Sequence, residues 1–189
     1  MQGTALKGAF ADAPVEAARV FRSALNTIAR PGRIETVTGA EPPAPLSIAA
    51  GCVLLTLCDP ETPVFLAETH DRPEVRDWIT FHCGAPLVEA GEARFALGAW
   101  DALKPLDRFG IGSAEYPDRS ATLIVESVRL ASDGAQLTGP GIRETAWLSL
   151  PEIEAFHANR ALFPLGLDFF FTAGARLAAL PRSTRVEAV

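Results

Sequence analysis

Residues 120–142, SATLIVESVRLASDGAQLTGPGI, decide how the chain is read. The first arm is rich in β-branched and aliphatic side chains. From Leu123 onward polar and apolar residues alternate through Glu126, Val128, Arg129 and Leu130, the pattern of a strand with a buried face. Asp133-Gly134 offers the positive φ of a tight turn, and Ala-Gln-Leu-Thr follows as a return arm. The expectation is a β-hairpin. Gly139-Pro140-Gly141 then bars helix and strand alike, leaving backbone N–H groups at a fixed bend beside the sheet edge. Such a bend suits an anion, or it simply turns a corner.

Working outward, 189 residues suit one domain spanning the chain, with room for a sizeable core. A content of 48% hydrophobic and 21% charged residues is that of a globular protein, not a disordered one. The formal charge of −6 argues against nucleic acid, whose binding needs a basic face. No apolar run reaches bilayer-spanning length and no signal-like N-terminus is visible, so a soluble cytoplasmic protein without membrane contact is expected. Three cysteines, Cys52, Cys58 and Cys83, cannot all pair, which fits reduced thiols.

Upstream of the central stretch, Asp12 and Pro14 start a helix whose apolar stripe, Val20, Phe21, Ala24, Leu25 and Ile28, is expected to pack on the core. Arg30-Pro31-Gly32 ends it. Residues 33–38 alternate like a short strand. Residues 46–59 are apolar nearly all round and read as a buried helix, with a buried strand as the alternative. Residues 63–66 suggest a strand. A second amphipathic helix runs from Arg72 through Val75, Trp78, Ile79 and His82 to Gly84, and a strand follows at 93–98. Residues 101–119 look irregular.

Downstream, 145–148 is a weak strand and 151–163 a helix with proline in its first turn. Residues 167–172, LDFFFT, and 176–180 read as strands joined at Gly174, ahead of the tail PRSTRVEAV. Helices interleaved with strands imply an α/β fold, a three-layer α/β/α sandwich with a mixed sheet. Three successive phenylalanines, Phe169, Phe170 and Phe171, require cover on both faces. The expected cover is core on one side and a partner subunit on the other.

Chemistry is sparse. The histidines and cysteines have no metal-site spacing, and His82 reads first as a hydrogen-bonded core histidine. Only Lys7, near a terminus expected to fray, and Lys104, before a proline, are lysines, so pyridoxal chemistry is not expected. Gly110-Ile111-Gly112-Ser113 lacks the third glycine and the acid of a dinucleotide fingerprint. Ser120 and Thr122 are either phosphate ligands or hydroxyls pinning their own loop. In Leu180-Pro181-Arg182-Ser183-Thr184-Arg185 two guanidiniums flank two hydroxyls, suited to a phosphate or carboxylate, with a solvated tail as the alternative.

Seven segments in order, FRxxLNxIARPG (21–32), LCDPETP (57–63), WITFHCGAP (78–86), YPDRSAT (116–122), GPGI (139–142), FPLGLD (163–168) and LPRSTR (180–185), are together similar to the H subunit of the carbon–phosphorus lyase system for phosphonate breakdown. The resemblance spans almost the whole chain. It implies a fold like the large domain of pyridoxal-phosphate-dependent transferases, without the cofactor. It also implies a homodimer that joins the G, I and J subunits in a core complex. That complex couples a phosphonate to the ribose of ATP with loss of adenine; the iron–sulfur cluster of the later radical step belongs to another subunit. No catalytic residue carries over. The expectation is a non-catalytic or co-catalytic subunit, docking through the LDFFF strand and nearby apolar surface. An anion site for phosphonate or nucleotide would be formed by Arg182, Thr184 and Arg185 with the Gly139 and Gly141 amides. The rival readings are a stand-alone enzyme using Asp59, His82 and Asp168 as acid and base groups, and a purely architectural dimer.

Overall fold

The computed structural model describes residues 7–188. Its centre is a six-stranded mixed sheet ordered β1-β8-β7-β4-β3-β2. Four strands, β2 (Val64–Leu66), β3 (Phe95–Ala99), β4 (Thr122–Glu126) and β7 (Asp168–Ala173), run parallel. The antiparallel strand β8 (Arg176–Leu180) and the two-residue strand β1 (Glu35–Thr36) close one edge. A second sheet of three antiparallel strands combines β5 (Ala135–Thr138), β6 (Ala146–Leu148) and β9 (Arg185–Glu187) in the order β6-β5-β9.

The expected hairpin does not form. β4 pairs with β3 and β7, whereas β5 pairs with β6 and β9. Leu123, Ile124 and Val125 are all buried, because both faces of β4 are covered. A continuous apolar run is the signature of such a strand, and it outweighs the alternation beyond it. Gly134 does take a positive φ of 87°, and Arg129 pairs with Asp133 across the link. That turn leads out of one sheet and into the other. The tail also differs from expectation, since β9 completes the small sheet through Leu137↔Val186.

Helices α1 (Ala13–Ala29), α2 (Ile48–Leu57) and α3 (Pro73–His82) cover one face of the large sheet. Asp12 caps α1, and Ser47 caps α2 by accepting from the Ala50 amide at 3.1 Å. α2 is buried as expected. On α1 the expected stripe splits: Val20 and Ala24 enter the core, but Phe21 and Leu25 are 52% and 56% exposed. The N-terminal side of α1 is tied down rather than frayed, because the Trp78 indole donates to the Lys7 carbonyl at 3.1 Å.

The opposite face is covered by α4 (Trp100–Leu103), α5 (Glu154–Ala161) and the small sheet, so this layer is not purely helical. α5 begins three residues later than proline position 151 suggests. Phe169 and Phe171 enter this layer, where Phe156 meets the Phe169 ring edge-on at 5.1 Å. Phe170 points into the helical layer. All three are 3% exposed or less, each burial stabilising the fold by about 1.5–3 kcal/mol. The docking role expected for the LDFFF strand is therefore overturned: this chain's own two cores cover both of its faces.

Candidate functional site

β8 ends at Leu180, and a turn closed by the Thr184 amide on the Pro181 carbonyl at 2.9 Å leads into β9. This turn brings the sequence-predicted residues together in two groups. The first is a hub around Arg182. Its backbone amide donates to Asp168 Oδ1 at 2.8 Å, and its Nη2 to Asp168 Oδ2 at 2.5 Å. Nη1 reaches the Pro117 carbonyl at 2.9 Å and the Pro164 carbonyl at 3.4 Å, and Nη2 also donates to the Ser120 hydroxyl. The side chain is 12% exposed. With its donors distributed over four residues in two stretches, 117–120 and 164–168, Arg182 acts as a fastener. Thr122 lies in the ladder opposite Asp168 and donates its amide to the Arg94 carbonyl at 2.9 Å.

The second group surrounds Gly139-Pro140-Gly141. A Cβ on Gly139 would come within 3.3 Å of the Ser183 carbonyl oxygen, and one on Gly141 within 2.0 Å of the Ala29 carbonyl oxygen. Close backbone approach thus accounts for both glycines, which also hold positive φ. Thr184 packs beside Gly139, 3% exposed, and its hydroxyl has no partner among the described residues. Arg185 is exposed on β9.

Sequence reasoning missed what faces Arg185. A concavity of about 300 Å³ is lined by Arg185, Val186, His157, Arg160 and Ala161. His157 Nε2 lies 2.5 Å from the Val186 carbonyl; a carbonyl only accepts, so this nitrogen carries a proton, and in the neutral ring Nδ1 is the acceptor. The Arg160 guanidinium sits 4.8 Å from the Phe163 ring centroid, and its Nε is buried with no partner among the described residues. Neither arginine belongs to an ion pair among those residues. Two unneutralised guanidiniums in one concavity can hold a phosphate or carboxylate. The sequence carries one trace of it, His157 and Arg160 three residues apart and so on one face of α5.

Glu126, at the carboxyl end of β4, was also passed over. Its carboxylate accepts from the Ser47 amide at 2.7 Å and the Thr172 hydroxyl at 2.9 Å, and it belongs to no ion pair among the described residues. Loss of water around the carboxylate raises its pKa above the ordinary glutamate value, and hydrogen bonds from Ser47 and Thr172 oppose that rise.

The rival acid–base set does not converge. Asp59 accepts from the Thr62 hydroxyl at 2.6 Å and the Glu61 amide at 2.9 Å, bonds that lower its pKa. His82 lies between Trp78 and Phe81, and its buried Nε2 has no hydrogen-bond partner among the described residues. Asp168 is committed to Arg182 and stands three strand positions from β2, roughly 14 Å at the usual strand spacing. Lys104 pairs with Asp101 at 3.0 Å and Glu152 at 3.2 Å, which raises its pKa, contrary to what a Schiff-base amine requires. Burial pushes the Cys83 thiol up to about 12 and that of Cys58 higher still. Among the described residues no three histidine, cysteine or acidic side chains are grouped to hold a metal, and no helix is long and apolar enough to cross a membrane.

The chain is 43% identical over 196 residues to the protein of Rhizobium meliloti (strain 1021) named alpha-D-ribose 1-methylphosphonate 5-triphosphate synthase subunit PhnH, covering 98% of each chain. It is 31% identical over 174 residues to the putative C-P lyase subunit protein HtxG of Stutzerimonas stutzeri, covering 88% of this chain and 84% of that one. Residues 8–187 match the family model described as bacterial phosphonate metabolism protein (PhnH). With that match running from the start of the described residues through β9, the chain belongs to the PhnH family of bacterial phosphonate metabolism proteins.

Proposed function

We propose that this chain is a subunit of the carbon–phosphorus lyase core assembly, supporting transfer of a phosphonate to the ribose of ATP with release of adenine. The observation that carries this reading is the 43% identity, end to end, with a protein named as a subunit of the corresponding synthase. In this reading the chain works in the cytoplasm, forms a homodimer and joins the G, I and J subunits. Its likeness to the large domain of pyridoxal-phosphate-dependent transferases is part of the same proposal.

The anion site of this subunit is the concavity of Arg185 and Arg160, with His157 Nδ1 available to accept a proton from a hydroxyl or a protonated phosphonate oxygen. Gly139 and Thr184 shape the approach to Arg185, Gly141 seats the same loop against Ala29, and Arg182, with Ser120 beside it and Thr122 opposite its partner Asp168, holds the turn that presents it. The test is growth on methylphosphonate as sole phosphorus source in a strain lacking this gene. The wild-type gene restores growth. The double variant Arg160→Ala, Arg185→Ala assembles with its partners but does not restore growth; full growth would remove the anion site.

A further inference from the structure

We propose that the outward face of α1 seats a helix of a partner subunit whose apolar side chains are flanked by carboxylates. This inference rests on the complex-subunit reading above and names the surface involved. α1 carries two apolar stripes where one suffices for the core. Val20 and Ala24 take the inner one, and Ala18, Phe21 and Leu25, spaced i, i+3, i+7, form the outer one. Phe21 and Leu25 stand more than half exposed over a groove of about 850 Å³ that reaches Thr56 of α2. Two turns of a helix about 10 Å across occupy roughly that volume.

The charge of the groove selects its occupant. Arg22, Asn26 and Arg30 follow at i, i+4, i+8 as a polar rail beside the apolar stripe, and Arg30 Nη1 donates to Asn26 Oδ1 at 3.2 Å. Neither Arg22 nor Arg30 has an ion-pair partner among the described residues, and no carboxylate lines the groove. A second copy of this chain would meet the patch with the same patch, setting arginine against arginine. A helix presenting aliphatic anchors beside aspartate or glutamate fits instead, with specificity set by the charged rail. The sheet's aromatic strand cannot serve, because it is buried on both sides.

The experiment expresses tagged full-length chain together with the G, I and J subunits and measures their recovery. The variants Phe21→Ser with Leu25→Ser, and Arg22→Glu with Arg30→Glu, replace exposed side chains, and thermal unfolding near that of wild type verifies their fold. Each lowers partner recovery tenfold or more, while Arg160→Ala with Arg185→Ala leaves it unchanged. A p-benzoylphenylalanine at position 21 crosslinks to a helix of G, I or J that contains acidic residues. Folded variants that recover partners at the wild-type level overturn the proposal. So does loss of homodimer in sedimentation with partner recovery intact, which assigns the groove to a second copy. A wild-type chain that recovers no subunit fails earlier, at the complex-subunit reading, and is told apart by that control.

Discussion

The two ends of the central strands treat a carboxylate in opposite ways. At the start of β7, Asp168 faces Arg182, whose guanidinium also binds Ser120, Pro117 and Pro164. At the end of β4, Glu126 is held by Ser47 and Thr172, with no ion-pair partner among the described residues, and burial raises its pKa. The first end is a charged clasp that fixes loop positions. The second is a lightly satisfied carboxylate whose stability contribution follows pH. The contrast teaches that an arginine within a motif can be spent on architecture while its neighbour three residues on, Arg185, stays available.

The largest expected effect breaks the clasp. Arg182→Ala leaves Asp168 partly buried without its cation and frees the stretches 117–120 and 164–168, costing about 3 kcal/mol in urea denaturation. If the loss is under about 1 kcal/mol, the hub is not a fastener. At the other end, Thr172→Val removes a donor from Glu126 and costs about 1–2 kcal/mol at neutral pH, read from thermal unfolding. Ser120→Ala removes one hydroxyl partner of Arg182 and costs about 1 kcal/mol in the same assay.

Glu126→Gln sharpens the comparison through pH. The folded-state pKa of Glu126 lies above its unfolded value, so the native state binds the proton more tightly. Its contribution to stability is fully present below the unfolded pKa and is lost as pH rises through the folded one. The variant therefore flattens the decline in stability on raising pH from the acidic range toward neutrality, measured as denaturation midpoint against pH. An unchanged slope would show that Glu126 does not titrate in that window. The smallest effect is expected at the open concavity, where Arg160→Ala with Arg185→Ala shifts stability by no more than about 0.5 kcal/mol per site. A larger loss would make these arginines part of the clasp.

Much of this was legible. Hydrophobic periodicity located α1 and α3, the continuous apolar run at 46–59 marked α2, and the glycine at position 174 marked the β7–β8 turn. The LPRSTR motif drew attention to the turn between β8 and β9, because two guanidiniums flank two hydroxyls there. What stayed hidden were partners distant in sequence. Asp168 lies 14 residues before Arg182, and Ser120 lies 62 before it. Arg160 faces Arg185 only because α5 packs against β9.

The sequence by itself determined an α/β protein of the PhnH kind, with a buried apolar helix, an aromatic strand and an arginine-bearing turn. These follow from local periodicity and from motifs whose order survives in the linear chain. Only the tertiary structure decided that 122–126 and 135–138 lie in different sheets and that the three phenylalanines face inward. It alone separated Arg182, which is consumed, from Arg185, which is open, and turned Phe21 and Leu25 outward. Strand pairing and burial depend on which distant segments arrive as cover, and local sequence carries no record of that arrival.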